Sequence, residues 1–487
     1  MRTRRADEGG MGWMARTGWM GSIRMTGRMG KTLIVALTLS GPARHAYPAS
    51  PALPALSSPP AYPAYPARPA HSAVPARPAP DLAQVPFEQA EKDLTSPDAA
   101  VRLRTVQLLK QAAFLEAAIP LAALVTDPQD DIQLEAIAAE LNIFLADPVT
   151  PRKRIGLVVE VRKTVQAEPL FAVGPSALGS RPVPMEVLAS LRLAARDQNP
   201  RVAIEALYAF GVLAVDPSGS ARRGLLTASG PDIAAFVGAS QPALRYAAVR
   251  VLGRVFARRA QDDPIEVTVG DSVITALNDN DRTVKAAAMH ALGSMRYDRG
   301  VQALTDLFAY YRGGDAAEAA LDALAHIAHA NSEPLFTGQL ENKAASLRAI
   351  AMEGLARTGA VSALPAIQAL VDKERDQRAA LAGAFALVLL GNASTDRVAD
   401  SLGKPKMRDQ AKEYLVELAP GRSAMFTHQL MDTDPQIRLE MVDVLGLAGD
   451  PAAIAIVEPL TEDRDPQVAR AAERALARLR GAQRTQR

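Results

Sequence analysis

"MDTDPQIRLEMVDVLGLAGDPAAIAIVEPLTEDRDPQVARAAERALARL", Met431 to Leu479, carries the same start signal twice. Asp434 stands before Pro435, and Asp465 stands before Pro466, 31 residues later. An aspartate can take up the free N–H groups at a helix start, and proline at the first helical position needs no N–H partner. Two such starts at a fixed interval mean that one structural unit is repeated.

Anchoring on the residue in the place of Arg438 extends the count. Arg102, Gln133, Ala203, Arg245, Lys285, Glu318, Arg348, Arg378, Arg408, Arg438 and Ala469 follow at intervals of 31, 70, 42, 40, 33, 30, 30, 30, 30 and 31. The interval of 70 is read as hiding one degenerate repeat. Thirty residues hold two helices of about 11 residues each and two short turns.

Within an anchor helix the apolar residues recur at steps of three and four, as in Val284, Ala287, Ala288, Ala291, Leu292 and Met295. Val468, Ala471, Ala472, Ala475, Leu476 and Leu479 repeat the pattern. That spacing gives a helix with one buried face. A further apolar position, filled by Val106, Ile137, Leu207, Val249, Met289, Met352 and Val442, puts a second side in contact with neighbours above and below.

The run D-x-D-P-x-[VI]-R-x-x-x-x-x-x-L resembles HEAT repeats of the short type first described in phycobilisome lyases, over about residues 86 to 480. The resemblance implies an all-α, right-handed α-solenoid of eleven or twelve HEAT-like helix pairs. It is specific for architecture and weak for function, because the fold serves scaffolds, adaptors and a few enzymes. Prolines 148, 151, 169, 175, 182 and 184 break the pattern at 148 to 190, and longer loops interrupt it at 216 to 232 and 258 to 271.

Ahead of the repeats the composition is different. From Pro42 to Pro80, twelve of 39 residues are proline, which excludes helix and central strand and gives an extended, disordered linker. Before it, "MGKTLIVALTLSGPARHA", Met29 to Ala46, has basic residues, an apolar core from Thr32 to Leu39 and small residues around Gly41-Pro42-Ala43. The core is shorter than the roughly 20 residues that span a bilayer, so no stable membrane span is expected. Met25 stands where a phosphate loop requires glycine. Read as an export signal, the stretch places the protein in the periplasm or outside the cell, with the cytoplasm as the alternative. The expected organisation is a leader at 1–43, a linker at 44–82, the solenoid at 83–480 and a tail at 481–487.

Charge and composition restrict function further. Ten of the 55 Lys and Arg and two of the 53 Asp and Glu fall in residues 1–80, leaving residues 81–487 with a net charge of −6. A duplex-binding protein is basic where it is folded, so no nucleic-acid partner is expected. Both tryptophans, Trp13 and Trp19, lie in the leader, unlike the basic, tryptophan-bearing groove of HEAT-like DNA glycosylases. Cysteine is absent, which removes disulfides and thiolate metal sites. HEAT-like deoxyhypusine hydroxylases hold iron with His-Glu pairs, and the sequence has none. Asp322, His326 and His329 share a helix face without further ligands, so no metal or other cofactor is expected, and no G-x-S-x-G marks a nucleophile.

Two sets of residues remain. Acids six before the anchors (Asp127, Asp197, Asp279, Asp372, Asp432 and Asp463) and basic anchors (Lys285, Arg378 and Arg438) suit a ladder that registers one unit on the next. Its expected rungs are Asp279, Lys285, Asp372, Arg378, Asp432 and Arg438. Positions on the inner curve, Gln107, Tyr208, Arg250, His290, Glu353, Glu413, Asp443 and Arg474, are the expected docking surface. Mixed in sign, they fit a non-enzymatic scaffold or adaptor for an unidentified protein. The rival is an enzyme with a pocket built by residues 148–190, such as a bilin-lyase-like HEAT protein.

Overall fold

The computed structural model describes residues 87–145, 166–174, 178–179, 181–214, 220–257, 264–391 and 393–486. The expected export signal and proline-rich linker lie outside them. Among the described residues the elements are helices, joined by turns and one isolated antiparallel bridge between Leu145 and Leu178. No helix among them is long and apolar enough to cross a membrane.

Among the described residues eleven anchor helices form one row: Ala99–Ala112, Asp130–Phe144, Pro200–Leu213, Pro242–Val255, Arg282–Met295, Asp315–Ile327, Ala345–Arg357, Gln377–Leu389, Arg408–Leu418, Pro435–Ala448 and Pro466–Gln486. Each packs on the next. The two caps read from sequence are in place, with the Asp434 and Asp465 carboxylates accepting N–H groups two residues on, and Asp98, Asp281, Asp376 and Asn199 cap other starts in the same way. Each cap of this kind stabilises a helix by about 1 kcal/mol.

The two helices of a unit are unequal, against the expectation of about 11 residues each. The second row includes Ala118–Leu124, Glu333–Gln339 and pieces as short as Asp396–Ala399, Thr427–Leu430 and Ile454–Val457. Several of them continue or follow a 3-10 turn, such as Ser423–Phe426, which uses residues that an α-helix of equal length would need.

Close approach within the anchor row has a visible cause. A Cβ placed on Gly253 would lie 2.8 Å from the Ala291 Cα, and one on Gly446 would lie 2.9 Å from the Ala475 Cα. Backbones therefore meet where only glycine fits. Val106, Ile137, Leu207, Val249, Met289, Met352 and Val442 are all buried, as the doubled apolar pattern requires.

A ladder joins neighbouring units, each arginine reaching the acid of the next one. Arg102 forks onto Asp127 at 2.8 and 3.1 Å, and Arg245 onto Asp279 at 2.6 and 2.8 Å. Arg348 meets Glu374 at 2.8 Å through both nitrogens, and Arg438 meets Asp463 at 2.8 and 2.7 Å. In each case the remaining guanidinium nitrogen donates to the backbone carbonyl six residues earlier, for example Arg438 Nη1 to Asp432 O at 2.8 Å. The acid meanwhile accepts the N–H two residues on, as Asp463 does from Asp465. One carboxylate thus orders its own turn and binds the preceding unit, and the Arg438 hydrogen bonds hold the Asp463 carboxyl below its usual range.

Asp279 pairs with Arg245 of the preceding unit. Other expected rungs need correction. Lys285 and Arg378 form no rung, because Arg312 and Leu402 stand where the next unit would offer an acid. Asp372 yields to Glu374, whose longer side chain reaches Arg348 from a position closer to the helix start. The Asp432 carboxylate accepts the Asp434 N–H, and only its backbone carbonyl meets Arg438.

Among the described residues the 70-residue interval places no extra unit between its two anchor helices. Gln133 Nε2 donates to Asp197 Oδ2 at 2.9 Å, and Asn199 Nδ2 donates to Asp130 Oδ2 at 2.6 Å. The Asp130–Phe144 helix thus packs directly on Pro200–Leu213. After the first of these helices the Gly179 N–H donates to Phe144 O at 2.8 Å. Glu140, at the place held by Leu292 and Leu445 in other units, is fully buried with neither carboxylate oxygen hydrogen-bonded. Burial raises its carboxyl well above the usual range.

Candidate functional site

Side chains five residues after the anchors, and those one turn later, line one side of the anchor row. Here units that are not neighbours in sequence touch. His326 Nε2 lies 3.5 Å from Glu413 Oε1, although two anchor helices intervene in the chain. Such a contact is possible only on the inside of a curved stack.

The expected surface residues divide by burial. His290 is exposed, and Glu413 has 42% of its side chain exposed. Arg250 is partly covered, while Tyr208, Glu353 and Asp443 are buried. The expectation that all eight present an open surface is corrected by the close approach of the helices, which turns some of these side chains into the clefts between units. Asp443 lies 3.8 Å from Lys412, which also pairs with Glu440. Burial raises the Asp443 carboxyl, against the pull of Lys412, Arg474 and Arg478.

Glu353 belongs to a bridge that sequence reading missed. Tyr414 Oη donates to Glu353 Oε1 at 2.5 Å, and Arg357 Nε donates to Glu417 at 3.1 and 3.2 Å. Both links pass over the Gln377–Leu389 helix, which carries no polar side chain after Arg378. Phe385 fills that space, stacked on the Tyr414 ring at 4.3 Å and facing the Arg357 guanidinium at 5.3 Å. A signal for the missed residues was present. Arg254, Arg357 and Glu417 each stand nine residues after an anchor, one turn beyond Arg250, Glu353 and Glu413.

Next to this bridge lies an open stretch made by His290, Asp322, His326 and Glu413. Burial and Arg357 act to lower the His326 pKa, but Asp322 and Glu413 outweigh them and push it up to about 9. The surroundings of His290 instead lower its pKa, chiefly by desolvation. His329 is not part of this group, because its Nδ1 accepts the Asn331 N–H and caps a turn. Among the described residues no group of His, Asp and Glu is arranged to hold a metal ion.

The other end of the inner face is basic and covered. A short helix from the irregular segment, Ala167–Val173, lies against Pro200–Leu213. The Arg250 Nη1 donates to Glu168 Oε1 at 3.0 Å and to the Tyr208 hydroxyl at 3.2 Å. Phe171 is buried, with the Arg254 guanidinium 3.7 Å from its ring centroid and the Tyr208 ring 5.2 Å away. Burial, with Arg250 nearby, lowers the Arg254 pKa to about 9. Burial likewise raises the Tyr208 hydroxyl.

A curved stack of repeated helix pairs, bound by an arginine–carboxylate ladder, defines an α-solenoid. A family model for HEAT repeats matches residues 231–321 and 423–487, so the chain carries HEAT repeats in these two stretches. No curated protein matches it by sequence. Among solved structures it is similar to an engineered protein at 17% identity, covering 81% of this chain and 98% of that one, with a TM-score of 0.41. It is similar to the phycocyanin lyase complex of CpcE and CpcF from Nostoc at 20% identity, covering 51% and 94%, with a TM-score of 0.31. Importin beta shares 12% identity over 82% of this chain and 64% of its own, with a TM-score of 0.38.

Proposed function

We propose that the chain is a non-enzymatic scaffold or adaptor that docks a partner protein on its inner face, in the cell envelope, after export. The observation that carries this reading is the open stretch of His290, Asp322, His326 and Glu413. Three anchor helices contribute to it, and its charges remain partly exposed. A surface spread over several units suits an extended protein segment better than a small molecule. In the rival enzyme reading the irregular segment builds a pocket, whereas its described part fills the notch it covers with Phe171. Export is supported by the basic start, short apolar core and small residues between Met29 and Ala43.

The test is affinity capture from the native organism's envelope fraction, with the full chain compared against Asp322→Lys combined with Glu413→Lys. A partner held by the unaltered chain and lost with the variant is the expected result. The same proteins held by both would overturn docking at this face. Mass spectrometry of the mature N-terminus checks the location. A chain beginning between Arg44 and Ser50 in the envelope or medium is expected, and an intact start at Met1 or Met29 in the cytosol would overturn export.

A further inference from the structure

The short helix Ala167–Val173 contacts the repeats as a ligand contacts a receptor. Its contribution is local: the stack beneath it is joined by the Gln133–Asp197 and Asn199–Asp130 hydrogen bonds, which involve none of its residues. Its contacts are specific. Glu205 Oε2 accepts the Ala167 N–H at 2.9 Å, Arg250 holds Glu168, and Phe171 enters a notch. The notch exists because position 211 is glycine, where a Cβ would lie 2.6 Å from Phe171 Cε2.

The receptor side has a defined chemical demand. Arg250 and Arg254 stand one turn apart on Pro242–Val255, so two like charges share one helix face. An acid relieves that repulsion, and an aromatic ring over the guanidinium planes gives each arginine a favourable face. Glu168 and Phe171, three residues apart on one helical turn, supply both. The acid is the more accessible half: 54% of the Glu168 side chain is exposed, whereas Phe171 is buried.

We propose that the notch of Tyr208, Gly211, Arg250 and Arg254 is a recognition site for a short helical partner segment of the form Glu-x-x-Phe. Residues 166–174 occupy it in cis as a self-ligand. This deepens the scaffold reading by naming the chemistry of one partner segment, and it rests on that reading. A partner carrying the pattern displaces the cis helix, leaves the ladder intact and adds its own flanking contacts along the inner face. Intramolecular occupancy raises the concentration a partner must reach, since a tethered ligand competes at high effective concentration.

The experiment uses the full chain and a fluorescein-labelled peptide with the sequence QAEPLFAVG, residues 166–174. Glu168→Ala with Phe171→Ala vacates the site in cis. This variant, checked for helical circular dichroism, is expected to bind the peptide at least tenfold more tightly than the unaltered chain, and to ignore a peptide with alanine for phenylalanine. Equal binding of both peptides, or no gain over the unaltered chain, overturns the proposal. A second measurement holds even if that variant fails to fold. Excess peptide added to the unaltered chain should speed hydrogen exchange of the 167–173 amides, and unchanged exchange at saturating peptide overturns cis occupancy. Gly211→Ala puts a methyl group in the notch. It should free the cis helix to exchange without creating peptide binding, and peptide binding to this variant would also overturn the assignment. The two readings fail separately. Peptide binding without a captured envelope partner removes the scaffold role alone, and a captured partner without peptide binding removes this site alone.

Discussion

Two junctions between anchor helices show how far the repeat can be altered before it stops stacking. At the C-terminal junction, Pro435–Ala448 on Pro466–Gln486, every repeat feature is present. Arg438 forks onto Asp463 across 25 residues, Gly446 lets the backbones meet, and Leu445 is buried between them. At the junction of Asp130–Phe144 with Pro200–Leu213, each feature is weakened. Gln133 replaces the arginine, Glu140 takes the leucine position, and the rung spans 64 residues of chain. The second junction still forms, so stacking depends on the sum of many small contacts.

The largest expected effect attacks the regular junction. Gly446→Val places branched carbons where a single Cβ already lies 2.7 Å from the Ala475 Cβ and 2.9 Å from its Cα. Backbone cannot yield as a side chain does, so a loss of about 3 kcal/mol is expected, the upper part of the range for overpacking. Urea denaturation measures it. A loss below about 1 kcal/mol, the lower end of that range, would mean that the two helices can slide apart and that close approach is not what fixes the curve.

Next in size is the rung itself. Arg438→Ala removes two charge-assisted hydrogen bonds to Asp463 and one to the Asp432 carbonyl, a loss of about 2 to 3 kcal/mol. Gln133→Ala removes one neutral donor from Asp197 and should cost about 1 kcal/mol. A double-mutant cycle sharpens the contrast: Arg438 and Asp463 should couple strongly, Arg438 and the Asp432 side chain hardly at all. Coupling to Asp432 equal to that with Asp463 would contradict the geometry.

The repeat and its inner positions were legible in the sequence because packing imposes them at every turn of the solenoid. Asp434-Pro435 and Asp465-Pro466 define helix starts locally, and the apolar steps define the faces that those helices bury. The ladder was legible as a link from one unit to the next, but which residues complete each rung was not. Spacing alone leaves open whether Arg438 turns back to its own turn or forward to Asp463, and the forward carboxylate wins because both guanidinium nitrogens can meet it. Long-range consequences of curvature were not legible. His326 meets Glu413, and Tyr414 meets Glu353, only because the row bends. Phe171 in the Gly211 notch depends on a return path of the irregular segment that no local signal encodes.

One expected effect has the opposite sign and belongs to the irregular junction. Glu140 is a carboxyl in a leucine position with no hydrogen-bond partner, and replacing an unsatisfied buried polar group by a hydrocarbon of similar size stabilises. Glu140→Leu should raise stability by about 1 to 2 kcal/mol near neutral pH, as the regular junction with Leu445 predicts. The pH dependence separates this cause from better packing alone. Burial raises the folded carboxyl well above its usual range, so below about pH 4 it is protonated in both states and ionisation carries no penalty. As pH rises, the unfolded chain releases the proton first, and the folded state loses stability until the buried group ionises too. The gap between Glu140→Leu and the unaltered chain should therefore widen from pH 4 upward in paired urea titrations. A gap that stays constant with pH would show that Glu140 titrates alike in the folded and unfolded chain, and the two junctions would then differ in packing alone.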